Sequence, residues 1–287
     1  MRATLIITAL IGHAAFYSRA EDGASVEASA ARHATVEVGG RSIVLPFPEG
    51  FDRIDGRDPE ADRLANTTLP AANRYLARFD LSATANLQTR IANAERDFSA
   101  QVLRSLEDRE IGERTFAEFK QQTQAELDKM KATIGQELEK QLGTASKRMG
   151  DELGVDAALS VSDVAILGCF GDSPSSLGFT MALKVAAKVG SQSNSAKRVI
   201  AGMIVPVNGR LVYLYANGDL KSPDDRQSVE KAVTDWRDAV LAANPRIEGP
   251  AGFAFDFASV ARASLIGAIV GGCIGGLVML FKKLRKA

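Results

Sequence analysis

The stretch "VNGRLVYLYANGDLKSPDDRQSVEKAVTDWRDAVLAANP", residues 207–245, decides the fold class. Asn208-Gly209 is a strong short hairpin signal, because a two-residue turn that matches strand twist demands positive φ. The strand after it places Leu211, Tyr213 and Tyr215 on one face and Val212 and Leu214 on the other. Both faces are apolar, which predicts a strand covered on both sides. Ser222 then caps a helix, Pro223 takes its first position, and Asp224 and Asp225 complement the positive end of its dipole. Val229, Val233, Trp236 and Val240 recur in threes and fours, so this helix should cover the strand with Trp236 buried. Asn244-Pro245 ends it. A hairpin strand that runs straight into a covering helix is an α+β unit.

Outward from this unit, three further stretches carry strand character: "ALSVSDVAILGCF", "SLGFTMALKVAAKV" and "KRVIAGMIVPV". Short polar links between them predict antiparallel neighbours, and "GCFGDSPSSLG" is one such hairpin turn, since it lacks the Gly-Lys-Ser/Thr of a phosphate loop. Before them, Thr115 with Glu118 has capping-box spacing. Phe116, Phe119, Leu127, Met130, Ile134, Leu138 and Leu142 follow as one stripe of a long amphipathic helix reaching toward Met149, which Gly135 and Gly143 weaken and could divide. That stripe either packs on the domain's own sheet or projects as a coiled-coil arm. Near the start, Val36 and Val38, Gly39-Gly40 and Ile43 to Leu45 make a hairpin that Pro46 and Pro48 end. "DRIDGRDPEADRLANTTLPAAN" is expected as a polar loop, "RYLARF" as a short strand and "DFSAQVLRSLED" as a longer one. The fold class expected is α+β, an antiparallel sheet flanked by helices.

"VLPFPEGF" after an opening hairpin, together with the final hairpin and helix, resembles uncharacterised exported bacterial proteins and the PsbP/Mog1-like fold, over roughly Val36 to Pro245. The resemblance implies binding and assembly rather than catalysis, and it brings over no functional residue.

The two ends supply an address. "MRATLIITALIGHAAFYSRAED" has a basic residue, an apolar run from Ala3 to Tyr17 and small residues before a cleavage point at Ala20, the layout of a secretory signal peptide over 1–20. A flexible segment is expected over 21–33, the domain over 34–245, and a Gly/Pro/Phe linker over 246–259. Residues 260–281 are expected to form a single transmembrane helix: Ala263 to Phe281 carry no charge, and nineteen residues span roughly 28 Å of helix. Lys282, Lys283, Arg285 and Lys286 in the tail 282–287 favour the cytoplasmic side. The expected placement is therefore single-pass in the cytoplasmic (inner) membrane, with the main domain outside. Gly267, Gly271, Gly272, Gly275 and Gly276 would line a helix–helix interface for self-association, although glycine is also common in such spans.

Composition bounds the function. Two arginines lie in 1–20 and four basic residues in 282–287, neither with an acid, so residues 21–281 hold 29 basic against 35 acidic residues. That balance argues against nucleic acid as a partner. Cys169 in an apolar run and Cys273 in the span form no disulfide framework, and Cys169 is expected in the core rather than as a nucleophile. After signal removal His33 is the only histidine, so triads and histidine metal sites lack material. Asp55, Asp58, Glu60 and Asp62 cluster but lack EF-hand spacing, and Asn66-Thr67-Thr68 matches a glycosylation acceptor. No catalytic, metal or cofactor residue is expected. The leading expectation is a non-catalytic binding or assembly protein with an unknown protein partner. The alternatives are a sensor or carrier of a small apolar ligand, and a carboxylate-based hydrolase.

Overall fold

The computed structural model describes residues 32–93 and 95–245. Seven strands form one antiparallel sheet in the order β3-β4-β5-β9-β8-β7-β6: β3 (Phe51–Arg53), β4 (Asn73–Leu81), β5 (Asp97–Leu103), β6 (Ala157–Ser173), β7 (Ser176–Val189), β8 (Gln192–Val207) and β9 (Arg210–Asp219). A separate hairpin pairs β1 (His33–Val38) with β2 (Arg41–Pro46). The helices are α1 (Pro59–Thr68), α2 (Leu87–Asn93), α3 (Glu113–Met130), α4 (Ile134–Leu153) and α5 (Pro223–Ala243).

The turn that opens β9 behaves as its residues require. Asn208 and Gly209 both have positive φ, 48° and 74°, and Val207 pairs with Arg210 across them. Strand β9 is central, and its two faces feed two cores. Leu211, Tyr213 and Tyr215 meet the stripe of α3 and α4, while Val212, Leu214 and Ala216 meet α5 and the β1–β2 hairpin. Helix α5 starts on a capping box between Ser222 and Asp225, and Val229, Val233, Trp236 and Val240 are buried. At its other end the Asn244 side chain takes the Val44 N–H at 2.9 Å and donates to the Val44 carbonyl at 2.6 Å. The helix stop thus also ties the hairpin to the domain.

The long stripe packs on the domain's own sheet. Phe116, Phe119, Leu127, Met130, Ile134, Leu138 and Leu142 are all buried there. It is two helices rather than one, and the break falls at 131–133 instead of at Gly135 or Gly143. Both glycines lie inside α4, where an added Cβ would meet open space. The capping box expected at Thr115 is absent: α3 begins at Glu113 after Gly112, and Thr115 is buried in the first turn. With the helix starting two residues earlier, Thr115 lies inside it rather than at the capping position.

Three other expectations change. Residues 52–73 are not one loop. Asp58 accepts from the N–H groups of Glu60 and Ala61, Pro59 opens α1, and Ala65 and Thr68 bury its short inner side. So small an apolar face leaves little period in the sequence, and docking on α4 stabilises the helix instead. His33 belongs to β1, paired with Pro46, and not to a flexible segment. Cys169 is exposed rather than in the core, because bulges in β6 interrupt its alternation. Its thiol is pushed up by desolvation and by Asp128 and Asp172, which leaves it a poor nucleophile.

The outer edge of the sheet, β6, is managed by side chains from the helices. Ser146 of α4 accepts from the Leu159 N–H at 2.7 Å, and Lys120 of α3 donates to the Ser173 carbonyl at 3.0 Å. Such contacts occupy ladder groups that a foreign strand would otherwise use.

Among the described residues no helix is long and apolar enough to cross a membrane. The expected signal peptide, the expected linker and span, and Gly267, Gly271, Gly272, Gly275 and Gly276 lie outside the described residues.

Candidate functional site

Helix α5 covers only part of its side of the sheet, because Ala232 and Ala239 stand where larger residues would fill the space toward α2. The result is a half-open groove of about 570 Å³. Its floor is aromatic. Trp236, 3% exposed, meets Phe79 and Phe98 edge-on at 5.4 and 5.5 Å, and Phe51 meets Phe98 at 4.7 Å. The Trp236 indole N–H donates to the Pro46 carbonyl at 2.8 Å, which locks the ring to the end of β2. Edge-to-face contacts of this kind orient rings as well as burying them.

The rim is polar. Asn86 accepts from the Thr89 N–H at 2.8 Å and starts α2, and Asn93 donates to the Thr89 carbonyl at 3.1 Å at its end. Arg96 stands between α2 and α5, where it donates to Asn93 Oδ1 and to Ser228 Oγ, each at 2.7 Å. Both partners are neutral. Desolvation holds the Arg96 guanidinium below its ordinary value, with the Asp225 charge acting the other way. No carboxylate among the described residues reaches it within ion-pair distance, although half-buried arginines ordinarily find one. Asp235, also on the rim, is paired with Lys231 at 2.6 Å. Leu87, at the head of α2, is 72% exposed, the largest such exposure of a big apolar side chain among the described residues.

The residues singled out from sequence have structural partners elsewhere. Asp55 and Asp62 both hold Arg78, and Asp58 caps α1, so the acidic cluster is used up by the fold. Among the described residues no group of three or more His, Cys, Asp or Glu could hold a metal. Asp225 accepts from the N–H groups of Ser222 and Lys221, which draws its carboxyl down, in keeping with a capping role. Asn66 is exposed on α1.

Sequence reading missed Arg96 and the whole of α2. The available signal was Asn86 three residues before Thr89, a cap spacing in a segment with almost no apolar stripe.

The strand order and layers define an α+β domain with a seven-stranded antiparallel sheet between helices. No family model matches the chain, and no curated protein matches it. Among solved structures, a single-residue mutant of the protein Mog1 is similar at 10% identity over 74% of this chain and 93% of that one, with a TM-score of 0.32. So distant a likeness carries no argument about the site.

Proposed function

We propose that this chain is a non-catalytic binding or assembly protein of a bacterial envelope, a member of an exported family with a Mog1-like fold. It is anchored in the inner membrane by residues 260–281 with its domain outside, and it binds through the groove between α2 and α5. The observation that carries the reading is the groove itself: an aromatic floor beside a half-buried guanidinium that no carboxylate of the described chain neutralises. Sites of this kind take an apolar body with one polar or anionic group. The half-open shape supports a docking surface over an enclosed carrier of a small apolar ligand.

A photo-crosslinking residue placed at Ala239 in the full chain, in native membranes, tests the proposal. A defined adduct that disappears with Arg96→Gln is expected. The same probe at Lys140 on α4 supplies the background, and an identical pattern at both positions would refute the groove reading. Protease added outside intact inner membranes should digest the domain and leave a small tail fragment; a fully protected domain would refute the anchoring.

A further inference from the structure

A second surface lies on the same side of the sheet as α5, past the end of that helix. Strands β6, β7 and β8 run on beyond its cover. Their other face stays buried, with Leu159, Val161, Val185 and Ala187 in the core beside α4. On the open face the register aligns rows of small and charged side chains. Ala158, Lys188 and Ser193 form one row, Ser160, Ala186 and Ser195 the next, and Ser162, Lys184 and Lys197 the third. The first two rows floor a shallow trough of about 580 Å³.

The charges here are unusual for a sheet surface. Lys184 and Lys197 are directly opposed across β7 and β8, both exposed. Opposed Cβ atoms lie about 5 Å apart, and like charges in that relation destabilise a sheet. Lys188 lies four residues along β7, about 13 Å from Lys184, at the other end of the trough. None of the three has a carboxylate within ion-pair distance among the described residues. Lys129, Lys131 and Lys231 pair with Glu126, Asp128 and Asp235, whereas Lys140 and Lys147 on α4 are exposed without an ion pair among the described residues but also without a second lysine directly opposite. An uncompensated triad across a hydroxyl-lined trough is a cost to the isolated domain that an anionic partner removes.

We infer that this trough is a docking surface for an extended acidic segment of a partner protein. Three features select that occupant. Carboxylates four residues apart on an extended chain repeat at about 13 Å, the spacing of Lys184 and Lys188. Ser160, Ser193 and Ser195 offer hydroxyls to the amides of a peptide laid over them. The trough contains no aromatic side chain, so it lacks the stacking platform that single-stranded nucleic acid uses, and its hollow does not match a planar bilayer. The surface is separate from the groove, and it goes beyond the function proposed above.

The probe is a fluorescein-labelled peptide of alternating Glu and Ser, with a Gln-Ser peptide as its neutral counterpart. Fluorescence anisotropy with the full chain should show binding of the acidic peptide that weakens with added salt. Lys197→Glu should weaken it at least tenfold while leaving the melting temperature equal or higher, because the variant exchanges a repulsive cross-strand pair for an attractive one. Lys231→Glu on α5 should leave binding unchanged. Amine labelling of the wild type supplies a readout that needs no variant: the acidic peptide should shield Lys184, Lys188 and Lys197 and spare Lys140. Equal binding of the Gln-Ser peptide, unchanged affinity in Lys197→Glu, no shielding of the three lysines, or preferential binding of anionic phospholipid vesicles would each overturn the assignment.

Discussion

Replacing Trp236 by alanine tests the packing of α5 on the sheet and the floor of the groove together. The ring is 3% exposed, in contact with two phenylalanines, and bonded to the Pro46 carbonyl. An indole buries roughly 200 Å². At about 25 cal/mol per Å² that amounts to some 5 kcal/mol as an upper limit, and a compact unfolded chain reduces it by roughly a quarter. Loss of the indole hydrogen bond adds ~1 kcal/mol. The groove is half open, so water can enter the vacated space, and the extra cost of a dry cavity is small. The expected total is about 5 kcal/mol. Trp236→Phe retains a ring and loses the donor, and should cost ~1–2 kcal/mol. Urea denaturation of the full chain followed by circular dichroism measures both, with the slope of the transition checked for constancy. A loss under about 1 kcal/mol for Trp236→Ala, or a tryptophan emission maximum characteristic of water in the folded wild type, would refute the packing argument.

Arg198, 3% exposed, donates to Asp97 at 3.0 Å, to Asp219 at 2.6 Å and to the Glu95 carbonyl, while Asn217 donates to Asp97 at 2.6 Å. Arg198→Ala should therefore destabilise by ~3–5 kcal/mol in the same denaturation assay, as an unpaired buried carboxylate does. Asp225 is drawn below the ordinary carboxylate range, so its contribution is present above its unfolded value of about 3.9 and is lost as pH falls through its lower folded value. Wild type should exceed Asp225→Asn in stability at neutral pH, and the difference should shrink below about pH 4; a pH-independent gap between the two curves contradicts the linkage. In the C-terminal span proposed above for residues 260–281, Gly271→Ile with Gly275→Ile should abolish self-association of a tail-only fusion in a membrane dimerisation reporter and leave insertion intact. Equal signal from native and double-isoleucine tails removes any pairing role for those glycines.

What the sequence by itself determined is local. The Asn208-Gly209 turn, the double-sided apolar strand after it and the Ser222-Pro223 helix start were legible because each depends on residues within a few positions of one another. The stripe from Phe116 to Leu142 was legible as helix for the same reason. Tertiary structure decided the rest. Helix α1 and helix α2 carry too little apolar period to announce themselves, and they form because other elements accept them. Thr115 has the spacing of a cap but is buried inside the first turn, because the helix starts at Glu113, two residues before it. Cys169 lies in an apolar run yet faces outward, because bulges in β6 shift which side of the strand each residue takes. The groove needs Arg96, from the loop between α2 and β5, to meet Ser228 and Trp236 of α5, and the lysine trough needs β7 and β8 to pair in one register. Side chains so far apart in the chain meet only through packing, and a one-residue slip in strand register would turn Lys197 from the open face into the core.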